Sequence, residues 1–198
     1  MISGLVVETN WILDVILERD TDSAELLRRA AERQITAFLP SFSVAEAVKV
    51  LEGMQAEWKR SANQLLQIQR DLDRSSLLKD PGAPIQQAID VLAEVHDLLE
   101  ENFWPRLKRI VEAVTIVEPT AEIIDLTATI RDVLKLSPAD SSVLATVVSL
   151  SRAGGCRVFV SRDKEAFGSQ AAIDYMDSEG VQYFDGLGPI LGPWRANR

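Results

Sequence analysis

The sequence predicts an α/β fold, a parallel sheet covered on both faces by helices, with a helical hairpin inserted into it. Three observations predict it. Short apolar runs recur at Leu5-Val6-Val7, Ile35-Thr36-Ala37-Phe38-Leu39, Val114–Val117, Arg157–Ser161 and Val181–Phe184. Stretches of helical periodicity separate most of them, and strands alternating with helices imply parallel pairing. The third observation is a long middle segment with apolar residues seven apart, too long to be a mere connection.

The elements follow in order. Leu5-Val6-Val7 reads as a buried strand, followed by helical pattern from Asn10 to Leu17 and from Ser23 to Arg33, with Asp22 or Ser23 as cap. The second strand closes at Pro40. Ser43 stands three residues before Glu46, the spacing of a capping box at a helix start. Leu51, Trp58, Leu65 and Leu72 then repeat at seven, with Met54 and Ile68 in the second core position. After a break at Asp80-Pro81-Gly82, Ile85, Leu92 and Leu99 repeat again, with Ala88 and Val95 interleaved. This is the spacing of two packed helices turning back at Pro81-Gly82. The last third alternates once more. Pro119 opens a helix to about Leu134, and Ser137-Pro138-Ala139-Asp140 starts a buried helix ending at Gly154-Gly155. A helix from about Gln170 to Glu179 leads into Val181–Phe184, which has the character of an edge strand. The stretch from Gly186 to Arg198 reads as a loosely packed tail.

Composition bounds the rest. The chain has 198 residues, 46% hydrophobic and 26% charged, which excludes a collagen-like or wholly disordered chain. One domain, 1–198, carrying a hairpin over 53–113, is the simplest organisation. A single cysteine, Cys156, excludes an internal disulfide and implies a reducing compartment; it reads as a small buried hydrophobe. The net charge of −9 excludes binding to nucleic acid through the average field. Contact with phosphate would need a local basic patch or cations held by the acids. The first residues lack a signal-peptide pattern and no apolar run spans a bilayer, so a soluble cytoplasmic protein with no membrane partner is expected.

In an open parallel sheet, ligands collect outside the carboxyl ends of the strands. Glu8 follows the first strand and Asp163 follows Val158-Phe159-Val160, while Glu46 and Asp140 fall in the first turns of helices. Taken singly, an acid at a helix start is more often a cap or dipole partner. Four converging acids would repel one another unless cations sat between them, and their hard oxygens suit magnesium or manganese. Two such ions can activate water and stabilise the leaving oxygen of a phosphodiester.

Val7-Glu8-Thr9-Asn10, Ser43-Val44-Ala45-Glu46-Ala47, Leu136-Ser137-Pro138-Ala139-Asp140 and Ser161-Arg162-Asp163, in this order, resemble the PIN-domain family of metal-dependent ribonucleases, which includes VapC-type toxins. The resemblance covers the chain outside the hairpin and implies a three-layer α/β/α PIN-like fold. It implies a metal-dependent endoribonuclease with Glu8, Glu46, Asp140 and Asp163 holding Mg2+ or Mn2+, and Asn10 and Ser161 in support. It suggests a toxin of a toxin–antitoxin pair, so the expected partners are an RNA substrate, an antitoxin or other protein, and a second copy of the chain. Position 8 departs from the family, which has Asp there. The alternative is a decayed site in an interaction module whose hairpin binds a protein. Arg106, Lys108 and Arg109, three bases in four residues, read first as a solvated helix face. With Arg162 and Lys164 they are the candidate nucleic-acid contacts if they face the acids. His96, among Glu94, Asp97 and Glu100, lacks a zinc spacing and reads as a solvated helix position.

Overall fold

The structure, a computed structural model, describes residues 4–74 and 82–195. The predicted turn at Pro81 lies outside the described residues. The elements run β1 (Gly4–Val6), α1 (Thr9–Ile16), α2 (Thr21–Ala31), β2 (Thr36–Pro40), α3 (Ser41–Asp73), α4 (Gly82–Ala113) and β3 (Thr115–Val117). They continue with α5 (Ala121–Leu134), α6 (Pro138–Arg152), β4 (Val158–Val160), α7 (Lys164–Phe167), α8 (Gln170–Ser178), β5 (Gln182–Phe184) and α9 (Gly188–Arg195).

The five strands form one sheet in the order β3-β2-β1-β4-β5, every pairing parallel. Helices flank it, as predicted. Val6 opposes Phe38 on one side and Phe159 on the other. Successive strand residues point to opposite faces. Leu5, Val6 and Val7 are all fully buried, so β1 is covered on both faces. One core cluster joins Val6 and Phe159 of the sheet to Ile130 of α5, Leu144 and Val148 of α6, and Met176 of α8. Cys156 belongs to it as the small hydrophobe expected, its thiol pushed up by burial.

Chain segmentation follows two compact units, Met1–Ala47 with Arg106–Arg198, and Val48–Pro105. The first holds the sheet. The second lies within α3 and α4, two helices that each pass from one unit into the other. Its limits therefore precede those of the heptad pattern, 53 and 113, and Pro105, a helix residue with no N–H, stands at its end.

Five local readings are corrected. The cap of α2 is Asp20, whose carboxylate accepts the N–H groups of Asp22 and Ser23 at 3.2 and 3.0 Å. Because β2 runs straight into α3, Ser43 lies inside that helix and caps nothing; its hydroxyl is buried without a partner. The C-terminal stretch is no loose tail: through 195 it forms α9, and Leu187, Ile190 and Leu191 are buried. In α4 the second core position falls one residue later than read. Ile89 and Phe103 are buried and His96 is partly buried, whereas Ala88 and Val95 are exposed. The sequence holds two apolar stripes side by side there, and periodicity alone could not choose between them. In α3, likewise, Gln69 takes the place expected for Ile68, which is 50% exposed, and Gln69 Nε2 donates to Gln86 Oε1 of α4 at 3.2 Å.

Phe159 is the keystone of the β4 end of the core. It is fully buried and meets the Phe167 ring edge-on, centroids 5.0 Å apart. Phe159→Ala is expected to cost about 3–5 kcal/mol, the range for deleting a fully buried aromatic. Urea unfolding checks this: the midpoint should fall with the slope unchanged.

Candidate active site at the sheet switch point

Chain order builds the site. From β1 the chain winds outward to β2 and β3, then returns across to β4 and β5, so the strand order reverses between β1 and β4. The crevice outside the carboxyl ends of two such strands is where open α/β sheets bind ligands. Glu8 lies two residues past β1 and caps α1 with extended backbone, φ −135°. Its Oε2 accepts the Asn10 N–H at 2.8 Å. Its Oε1 accepts the hydroxyl of Ser161, the residue directly after β4, at 3.1 Å. Ser161 Oγ in turn accepts the Asp163 N–H at 3.0 Å, and Asp163 caps α7 by accepting the Ala166 N–H at 2.9 Å. Two acid-capped helix starts are thus stitched together through one serine, 2% exposed.

Glu8 itself is 5% exposed. Burial pushes its carboxyl up to about 7, against the pull of the Asn10 and Ser161 hydrogen bonds, and the charge of Asp163 adds to the rise. Glu8 therefore changes charge near neutrality.

The other two acids are placed differently. Glu46, partly buried on α3, accepts the hydroxyl of Thr9, so it abuts the first turn of α1. Asp140 is turned back on its own helix: its Oδ2 accepts the Ser137 hydroxyl at 2.6 Å while its N–H bonds Ser137 Oγ at 3.1 Å. Among the described residues, no three of the four carboxylates bring oxygens within 4.8 Å of one another. The convergence expected from the sequence is therefore looser than a shared ligand cage. Uncompensated carboxylates repel, and each here has its own N–H or O–H donor.

Three neighbours were not legible as a group. A cavity of about 20 Å³, room for one water-sized guest, is lined by Glu8, Asn10, Asp14, Asp20, Ser161 and Arg162. Asp14, buried on α1, pairs with the Arg162 guanidinium. Burial pushes Asp14 up and Arg162 holds it back. At Asp20 burial is outweighed by the Ser23 hydroxyl and the Asp22 and Ser23 N–H groups, which hold it below the usual range. The i,i+4 spacing of Asn10 and Asp14 was the available signal. The basic cluster fares otherwise. Arg106 donates to the Ile16 carbonyl at 2.6 Å and pairs with Glu18. It therefore closes the far end of α1, about 12 Å from Glu8 at 1.5 Å per residue. Lys108 faces Glu112 at 3.6 Å, and Lys164 pairs with Asp185 at 2.7 Å. Arg109 is exposed and lines a groove of α1, α2 and α4 together with Arg106. Arg162 alone of the five lines the Glu8 cavity. In the second unit His96 sits 3.5 and 3.8 Å from Asp97 and Glu100, an i,i+1,i+4 group on one helix.

No protein-family model matches the chain, and no curated protein matches it. Among solved structures, a chain of VapBC2 from Rickettsia felis, bound to a DNA fragment from their promoter, aligns with a TM-score of 0.43 and 13% identity, covering 92% of this chain and 99% of that one. No described helix is long and apolar enough to cross a membrane by itself.

The sign of the pH effect follows from Glu8. Its folded value, about 7, lies above the ordinary 4.5, so the folded state holds the proton more tightly. The resulting stability is complete below about 4.5 and is lost as pH rises through about 7, a change of about 3 kcal/mol at 1.36 kcal/mol per pH unit. Glu8→Gln removes the titration while keeping an acceptor for Asn10. Its stability from pH 5 to 8 should be flatter than wild type, with the variant the more stable at pH 8. Parallel chemical denaturation series check this; equal slopes would refute the assignment to Glu8.

Proposed function

We propose that the chain is a PIN-like metal-dependent endoribonuclease working in the β1–β4 crevice, in the role of a toxin whose partner is an antitoxin protein. The observation that carries the reading is the Glu8–Ser161–Asp163 relay. It joins the first and last of the four sequence motifs, 153 residues apart, at the switch point of the sheet.

The donor set fits a hard divalent cation. Every candidate ligand is an oxygen, and magnesium is commonly held by one or two carboxylates with water completing its shell. Glu8 and Asp163 meet that demand without a four-acid cage. In this reading Glu46, which accepts the Thr9 hydroxyl, and Asp140 are supporting acids. Bound Mg2+ or Mn2+ supplies activation of water and neutralisation of phosphate charge. The chain's own residues do the positioning. Ser161 and the Asn10 N–H fix both oxygens of Glu8. Arg162 is 47% exposed and bonds Asp14 through Nη2, so its planar fork is oriented beside the acids. A guanidinium is the group best shaped to take an RNA phosphate.

Glu8 is one methylene longer than the family's aspartate and reaches Ser161 with that length. Glu8→Asp should withdraw the carboxylate and lower activity, by about a hundredfold for a misplacement of about 1 Å. Cleavage of a mixed RNA pool in manganese tests the whole reading. Wild type should cut and EDTA should stop it. Asp163→Asn should lose at least about a hundredfold, and Asp140→Asn less, because Asp140 is satisfied within α6. Arg162→Ala should raise KM more than it lowers kcat. Cutting that survives EDTA, or an inactive wild type beside an active Glu8→Asp, would overturn the proposal.

A further inference from the structure

The second unit carries a surface that the acidic site does not use. α4 presents one apolar stripe, including Ile85, Ile89, Leu92, Leu99 and Phe103, that is buried or partly buried. Beside it runs a second, exposed stripe: Val91, Val95 and Leu98 are 52%, 40% and 53% exposed, and Ala88 is exposed as well. At 100° per residue these four fall within an arc of about 80°, at i, i+3, i+7 and i+10, an alternation of three and four residues by which a helix face is gripped by another helix. The exposure is not scattered, as single surface apolar residues usually are; it is continuous along about three turns of one helix.

The border of this stripe says what would cover it. Asp90, Glu94 and Glu101 occupy an arc centred about 100° further round the same helix. From Gly82 to Pro105 the sequence has five acids, Asp90, Glu94, Asp97, Glu100 and Glu101, and no Lys or Arg. A second copy laid on this face would set acids against acids, a repulsive arrangement. A helix with apolar residues at the same spacing and Lys or Arg on its flanks would bury the stripe and neutralise its border.

We propose that the Ala88-Val91-Val95-Leu98 face of α4 is the docking surface for a basic amphipathic helix of a partner protein, independently of the nuclease reading. The occupant is a helical segment rather than a membrane, because an acidic border is repelled by anionic lipid.

The test uses the full chain and two synthetic amphipathic peptides, with Leu at i, i+3, i+4 and i+7 and either Lys or Glu on the flanks. The Lys peptide should bind and become helical at physiological salt; the Glu peptide should not. Leu98→Asp makes the surface more acidic yet less apolar, so it separates the two contributions. Docking on the stripe predicts at least about tenfold weaker binding of the Lys peptide. Glu94→Lys with Glu101→Lys should also weaken it and admit the Glu peptide. All these positions are exposed, and unchanged circular dichroism confirms that the variants fold. Binding that is unchanged or tighter in Leu98→Asp would mean charge attraction without docking and would overturn the proposal. So would a dimer in sedimentation that Leu98→Asp dissociates, since the occupant would then be a second copy.

Discussion

Glu8 is a carboxylate held almost out of water at the junction of two parallel strands, and the chemistry available to this chain depends on it. It follows directly on Leu5-Val6-Val7, all fully buried, so the polypeptide delivers an acid to the end of a strand that has no access to solvent. An ionised group there must be compensated. Two donors, the Asn10 N–H and the Ser161 hydroxyl, supply part of the compensation, and the start of α1 adds its positive end. They fall short, which is why the carboxyl rises to about 7. A buried acid this close to charging is a place where a cation would complete what the protein leaves unfinished.

The strand order makes that placement possible. Had β4 paired on the outside of the sheet, Ser161 could not reach Glu8. With β4 beside β1, motifs at opposite ends of the sequence share one crevice. The same arrangement brings the buried Asp14 within reach of Arg162, so an acid on α1 holds a base from the β4–α7 loop. A second layer of contact comes from α3 through the Thr9–Glu46 bond. Chemistry is thus concentrated in the unit that contains the sheet, while the unit of residues 48–105 carries none of these residues.

The sheet was legible because buried parallel strands leave a strong mark: short apolar runs bounded by helical stretches, five of them, each found as a strand. The positions of Glu8 and Asp163 at strand ends were legible for the same reason. What sequence could not give was direction. Asp140 sits in a helix's first turn just as expected, yet its side chain bonds Ser137 of its own cap, a choice that spacing does not encode. Nor did the three clustered bases reveal that Arg106 is spent on the far end of α1. The hairpin illustrates the converse difficulty. Its heptads were visible, but α4 is apolar over two adjacent stripes, and only packing shows that Ile89, His96 and Phe103 turn inward while Val91, Val95 and Leu98 stay outside. The C-terminal helix escaped notice because Gly and Pro in Gly188–Arg195 mask a pattern anchored by the buried Ile190 and Leu191.

The central claim is that Glu8 and its relay form a cation site. The most direct test is electron paramagnetic resonance of manganese added to the protein at pH 8, where free and bound ion give separable signals. The account predicts that wild type takes manganese out of the free signal, that Glu8→Gln and Asp163→Asn each leave it free, and that lowering the pH weakens binding because protons compete with the ion for Glu8. Manganese that stays free with wild type, or binds equally well to Glu8→Gln, would contradict it.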